Sequence, residues 1–161
     1  MNITIRKIRI HEIAALHFLI NNECNINGTV LRKSYWQLLM LLDNYQVAVC
    51  NGKIIGCAGF KCWPGRWCEI VSVVLKSGTR GKGIGIQLVQ SLIVDIQSRG
   101  YHAIFCLTGA REFFAKLGFC ETQKNLFPMK IWSDCKKCPK NIGSPLDPQC
   151  PEIAMILILN S

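Results

Sequence analysis

No stretch of this 161-residue chain is apolar for the length of a bilayer crossing, so no membrane-spanning helix and no membrane partner are expected. The first twenty residues interleave Ile with Arg and Lys and lead to no small-residue cleavage site, which argues against a secretory leader. No dense Lys/Arg run with interleaved aromatics occurs, so nucleic acid is not the expected partner. Histidine is scarce: His11, His17 and His102 are scattered, and no Ser-His-Asp or Cys-His pairing follows from them. Repeats and low-complexity tracts are missing as well. Acidic residues are few against the basic ones, and the net charge of +9 points to an anionic ligand without naming it. What is abundant is apolar surface, 50% of the residues, and cysteine, ten of them. The length suits one domain, residues 1–161, with a sizeable core. In the cytoplasmic setting expected here the cysteines are reduced core residues or metal ligands rather than a disulfide framework.

Taken in order, residues 3–9 read as an edge strand and residues 11–24 as an amphipathic helix. Ser34 is placed to cap a second helix beginning at Tyr35. Residues 45–50 and 54–62 form strands about the Asn51-Gly52-Lys53 turn, the strongest short hairpin signal. Trp63-Pro64-Gly65-Arg66-Trp67 turns into a third strand, Glu69 to Leu75, rich in β-branched residues. A helix follows, with Ile86, Leu88, Val89, Leu92, Ile93 and Ile96 at helical spacing, and then a strand over 101–107. Strand, helix, strand makes a right-handed crossover, so those two strands should be parallel. A short helix over 110–117 ends at Gly118, a strand covers 119–123, residues 124–150 form an irregular cysteine-containing insertion, and a last strand covers 151–159. The expected fold class is α/β. Its sheet is mixed and mostly antiparallel, with a central splayed parallel strand pair, and is flanked by helices.

The chain is organised around residues 68–85. A strand ends there in Lys76-Ser77-Gly78-Thr79, then Arg80-Gly81-Lys82-Gly83-Ile84-Gly85 opens a helix. Backbone N–H groups at a helix start lack intrahelical acceptors, and the helix dipole adds positive charge, so phosphate binds well there. The nucleoside-triphosphate loop is excluded because Lys82 is followed by Gly83, and the dinucleotide fingerprint because residue 86 is Ile. What remains is Arg-x-x-Gly-x-Gly, matched by Arg80, Gly83 and Gly85. This stretch resembles the acetyl-CoA pyrophosphate loop of the GNAT N-acetyltransferase superfamily, and the order of elements is similar to the GNAT fold over nearly the whole chain.

The resemblance implies a division of labour for acetyl transfer to an amine. Arg80, Gly81, Lys82, Gly83, Ile84 and Gly85 hold the pyrophosphate. The backbone of Val73, Val74 and Leu75 lies along the pantetheine arm like an added strand. An N–H of Val74 or Leu75 serves the acetyl oxygen. Glu69 is the only carboxylate between residues 67 and 75, and it is the expected general base, acting directly or through water. The alternative is a Glu69 facing solvent on an exposed side. Many family members place a tyrosine where Phe114 stands in Ala110-Arg111-Glu112-Phe113-Phe114-Ala115-Lys116-Leu117-Gly118-Phe119. Phe114 can donate no proton, so water reprotonates the thiolate, and Phe114 lines the cofactor cleft or belongs to the core.

Phe113-Phe114 and the segments 128–139 and 150–155 resemble the short single-domain N-acetylglutamate synthases. That likeness implies a small-molecule amine substrate, glutamate, at the start of arginine biosynthesis. Arg32, Lys33 and Lys130 are then the candidate carboxylate ligands, guanidinium being best suited to a bidentate carboxylate. The spacer from 141 to 148 looks longer than in those synthases. A homodimer is a candidate assembly. Cys135-x-x-Cys138 with Cys150 is half of a structural zinc signature; the alternative is a set of reduced thiols. Two further readings stay open: an acetyltransferase for another amine, such as a protein N-terminus, polyamine or drug, and a non-catalytic CoA-binding regulatory module.

Overall fold

The computed structural model describes residues 2 to 160. The chain divides into two compact units, Met1–Ile104 with Ile158–Ser161, and Phe105–Leu157. The first unit begins with β1 (Ile3–Lys7), α1 (Ile13–Asn27) and α2 (Tyr35–Met40). It continues with β2 (Tyr45–Cys50), β3 (Lys53–Trp63), β4 (Trp67–Leu75), α3 (Ile84–Ser98) and the start of β5 (Ala103–Thr108). β2, β3 and β4 form an antiparallel meander, and β1 pairs antiparallel with β2 at the edge, as expected. β5 follows β4 in the sheet order and runs parallel to it, which makes the sheet mixed.

Local chemistry sets these elements. Asn51 and Gly52 both take positive φ, 49° and 73°, and Cys50 pairs with Lys53, so the hairpin closes on two residues. Ser34 accepts a hydrogen bond from the Gln37 N–H, while the Gln37 side chain accepts one from the Ser34 N–H, a complete capping box. α1 runs on to Asn27, past the Asn25 expected to break it, and stops only where Gly28 turns left-handed at φ 62°. Leu16, Leu19 and Ile20 of α1 bury against Leu38, Tyr45, Val47, Cys57 and Val74. α3 buries Leu88, Val89, Leu92 and Ile96 of the expected stripe and Ile84 besides, while Ile86 and Ile93 are half-buried.

The second unit contains the rest of β5, α4 (Arg111–Ala115), β6 (Cys120–Thr122), α5 (Pro128–Ser133) and most of β7 (Ile153–Ile158). β7 pairs with β6 antiparallel, with Cys120 opposite Ile156. Residues 124–150, expected to be irregular throughout, contain α5. Pro128 starts it at a position where its missing N–H costs nothing. No helix among the described residues is long and apolar enough to cross a membrane.

Candidate active site

β4 is distorted where the chemistry is expected. Its register against β3 slips between Cys57 and Gly59, which face Val74 and Val71, so Ser72 and Val73 stand opposite Ala58 alone. Ser72 has φ 54°, a left-handed conformation that a non-glycine residue adopts only where its surroundings enforce it. Two contacts hold it. The Tyr45 hydroxyl donates to Ser72 Oγ at 3.1 Å, and the Cys57 thiol donates to the Ser72 carbonyl at 3.5 Å. Both partners are fully buried, and burial pushes both the Tyr45 hydroxyl and the Cys57 thiol far up, so each keeps its proton and remains a donor. A bulge of this kind re-aims the strand beyond it. The run of β-branched residues read from sequence carried no sign of it.

Beyond the bulge the ladder resumes. The Lys76 N–H donates to the Ile55 carbonyl at 2.8 Å. By the alternation of an antiparallel pair, Leu75 opposite Gly56 is a non-hydrogen-bonded position, and its N–H points away from β3. Val74 opposite Cys57 is turned the other way, and its N–H meets the Cys57 sulfur. Of the two N–H groups considered for an acyl oxygen, the outward one is that of Leu75.

Glu69 is on the same strand and is buried, 4% exposed, so the solvent-facing alternative does not hold. Its Oε2 accepts a hydrogen bond from the Trp63 indole N–H at 3.1 Å. Lys61 stands directly opposite on β3, with its ammonium 4.2 Å above the Trp63 ring. The carboxylate is therefore fixed from one side by an indole that is itself packed under a cation.

The glycine turn is open to a ligand. Gly81 and Gly83 take φ 78° and 75°, and a Cβ added at either would meet nothing within 4 Å. Gly83 caps α3 with no side-chain acceptor at the helix start. Arg80 and Lys82 are exposed and flank this end. The arrangement fits a phosphate: outward first-turn N–H groups, unobstructed backbone and two cations.

One residue there was missed by sequence reasoning. Glu23 of α1 is 2% exposed, accepts the Ser77 N–H at 3.2 Å with Oε1, and holds Arg80 Nη2 at 3.0 Å with Oε2. The signal was available: Glu23 is seven residues after Leu16, on the buried stripe of α1, where an acid is out of place unless it serves a partner.

The remaining candidates each have local partners. The Arg32 guanidinium hydrogen-bonds Asn25 Oδ1, and the Lys33 backbone is clasped by the Asn21 side chain through two bonds of 2.9 and 3.0 Å. Lys130, in the second unit, pairs with Asp134 at 3.2 Å. Phe114 is buried there and meets Phe113 and Phe119 edge-on at 5.1 and 5.3 Å, an aromatic core cluster. The zinc expectation is corrected. Among the described residues no group of three or more His, Cys, Asp or Glu side chains could hold a metal. Cys135, Cys138 and Cys150 instead have local surroundings. The Lys124 ammonium lies 3.4 Å from the Cys150 sulfur, where its charge opposes a cation, and the Lys140 N–H donates to the Cys138 sulfur.

Comparison with known proteins fits this geometry. The chain is 30% identical over 155 residues to an uncharacterized N-acetyltransferase of Chlorobaculum tepidum, covering 96% of each. It is 24% identical over 147 residues to an amino-acid acetyltransferase of Mycobacterium tuberculosis, covering 89% of this chain and 83% of that one. The N-acetylglutamate synthase of Neisseria gonorrhoeae, solved with coenzyme A and N-acetyl-glutamate, superposes on all of this chain with TM-score 0.84 at 19% identity. The chain spans only 36% of that protein. Residues 14–119 match the model of the acetyltransferase (GNAT) family, and with the bulged strand and its glycine turn in place, the chain belongs to that family.

Proposed function

We propose that this acetyltransferase moves the acetyl group of acetyl-CoA to the α-amino group of L-glutamate, with Glu69 as general base. The observation that carries the reading is the placement of β4. One strand bears a buried carboxylate, then a bulge, then an outward N–H at Leu75, and it leads directly into the phosphate-accepting turn. Arg80 to Gly85 hold the pyrophosphate, with Gly81 and Gly83 letting the backbone approach and Lys82 adding charge. Val73, Val74 and Leu75 align the pantetheine arm.

In the reaction, Glu69 takes a proton from the bound ammonium, directly or through water, and the amine attacks the thioester carbonyl. The C–N bond forms as the carbonyl electrons move onto oxygen, where the Leu75 N–H stabilises the oxyanion. Collapse breaks the C–S bond and releases the CoA thiolate. An ordinary cysteine thiol has a pKa of about 8.5, and a thiolate of that class is a fair leaving group near neutral pH, so water suffices as the proton source and the missing hydroxyl at Phe114 is tolerated.

Glutamate is supported by the resemblance of residues 113–114, 128–139 and 150–155 to short N-acetylglutamate synthases and by the amino-acid acetyltransferase among the relatives. Arg32 is the first candidate for the substrate carboxylates, since its partner Asn25 is neutral and can be exchanged for an anion. The test is a panel of amino acids with acetyl-CoA, followed by release of free thiol. Glutamate should be the best acceptor, and Arg32→Ala should raise the KM for glutamate far more than that for acetyl-CoA. A clear preference for a polyamine or a peptide N-terminus would replace glutamate while leaving acetyl transfer intact.

A further inference from the structure

The hairpin that carries Trp63 and Glu69 also carries two thiols. Cys62 on β3 and Cys68 on β4 are register partners, one rung before the three-residue turn at Pro64-Gly65-Arg66. Their sulfurs are 4.0 Å apart. Directly opposed residues of an antiparallel pair have Cα atoms about 4.5 to 5.5 Å apart, inside the roughly 4.4 to 6.8 Å range that a disulfide spans. Cys62 is exposed, whereas Cys68 is fully buried. Burial first, then the neighbouring Cys62, hold the Cys68 thiol protonated, so Cys62 is the sulfur that meets an oxidant first. Tyr101 hydrogen-bonds Cys62, and Arg99 and Asp95 are the charged groups that act on Cys68. No metal or catalytic role claims either thiol.

We propose that Cys62 and Cys68 form a reversible cross-strand disulfide, with a low-molecular-weight disulfide such as glutathione disulfide as oxidant. The Cys62 thiolate attacks one sulfur of the oxidant, forming a mixed disulfide and releasing one glutathione thiolate. Cys68 then loses its proton, attacks the Cys62 sulfur and expels the second glutathione. Two protein thiols are oxidised by two electrons, one glutathione disulfide is reduced to two glutathione thiols, and the two thiol protons end on them. The bond would draw in the rung between Lys61–Glu69 and Trp63–Trp67, and so shift the indole that holds the Glu69 carboxylate. That last consequence rests on the reading of Glu69 as the base.

Tryptic cleavage after Lys61, Arg66 and Lys76 places the two cysteines on separate peptides, 62–66 and 67–76. The whole protein is equilibrated with glutathione disulfide, alkylated, digested and mapped by mass, with turnover measured in parallel. The two peptides should appear joined, separate with dithiothreitol, and stay unjoined in Cys62→Ser, an exposed position that leaves the core intact. Turnover should fall on the order of tenfold, return with dithiothreitol, and stay unaffected by oxidant in Cys62→Ser. Separately alkylated peptides, or arrest at glutathionylated Cys62, would overturn the disulfide. Joined peptides with unchanged turnover would overturn the link to Glu69 while leaving the disulfide in place.

Discussion

Residues 76–83 and residues 134–150 both lie outside the named helices and strands, and each carries three cationic side chains, yet they are held by opposite means. The first is tied down by a distant buried group. Glu23, more than fifty residues away, takes both the Ser77 N–H and the Arg80 guanidinium, and Thr79 is itself buried. The second closes largely on itself. Asn141 Oδ1 accepts the N–H groups of Gly143 and Gln149, Ser144 accepts the Asp147 N–H, and Lys140 pairs with Glu152 just beyond the segment. A loop fixed from beneath keeps its outward backbone donors for a ligand. A loop that satisfies its own polar groups offers few. Equal numbers of cationic side chains therefore do not make equal anion sites; the second segment also holds Asp134 and Asp147, and where the anchoring hydrogen bonds come from matters as well.

The sharpest way to break this contrast is to remove the anchor. Glu23→Gln keeps the volume and deletes the charge, and steady-state kinetics should show the KM for acetyl-CoA rising about tenfold, or ~1.4 kcal/mol, with kcat little changed. A fall in kcat alone would make Glu23 something other than a support for the turn. Gly83→Ala is next. Its φ of 75° strains any L side chain by ~1–2 kcal/mol, and thermal unfolding should drop by a few degrees with weaker acetyl-CoA binding.

A smaller effect is expected at a purely local ion pair. The Arg6 hydrogen bond, against a smaller burial cost, holds the Glu12 carboxyl down at about 2. Unfolded, a glutamate titrates near about 4.3. The folded value is the lower one, so the pair stabilises fully above the unfolded value and its contribution is lost as pH falls toward 2. Melting of the wild type and Glu12→Gln should therefore converge as the pH is lowered from 6 through that window. The smallest effect belongs to the tail. Cys135→Ser with Cys138→Ser, or treatment with a chelator, should leave the melting temperature within about a degree, since both thiols are only half-buried and serine nearly keeps their size. A chelator-dependent loss of stability would bring back a metal there.

How much of this could be read from the chain depends on whether a signal is periodic and local. The meander, the Asn51-Gly52 turn, the Ser34 cap and the stripe of α3 follow from spacing and turn chemistry, and the structure has them. The bulge at Ser72 does not announce itself, because a strand of Val, Ile and Ser looks the same with or without an extra residue; Tyr45 and Cys57, far away in sequence, impose it. Glu23 was legible only as an acid on an apolar stripe. The helix over Pro128–Ser133 was hidden by its shortness and by the prolines around it. The cysteine spacing suggested a metal because sequence cannot show that Lys124 lies against Cys150.

The central claim is that the buried carboxylate on the bulged strand does the chemistry while the turn beyond it holds the cofactor. Glu69→Gln separates the two. With acetyl-CoA and glutamate, free-thiol release should fall on the order of a hundredfold, the usual reach of general-base catalysis, while acetyl-CoA binding measured by calorimetry stays within about twofold. Turnover equal to wild type in a variant that still binds acetyl-CoA would contradict the assignment of Glu69.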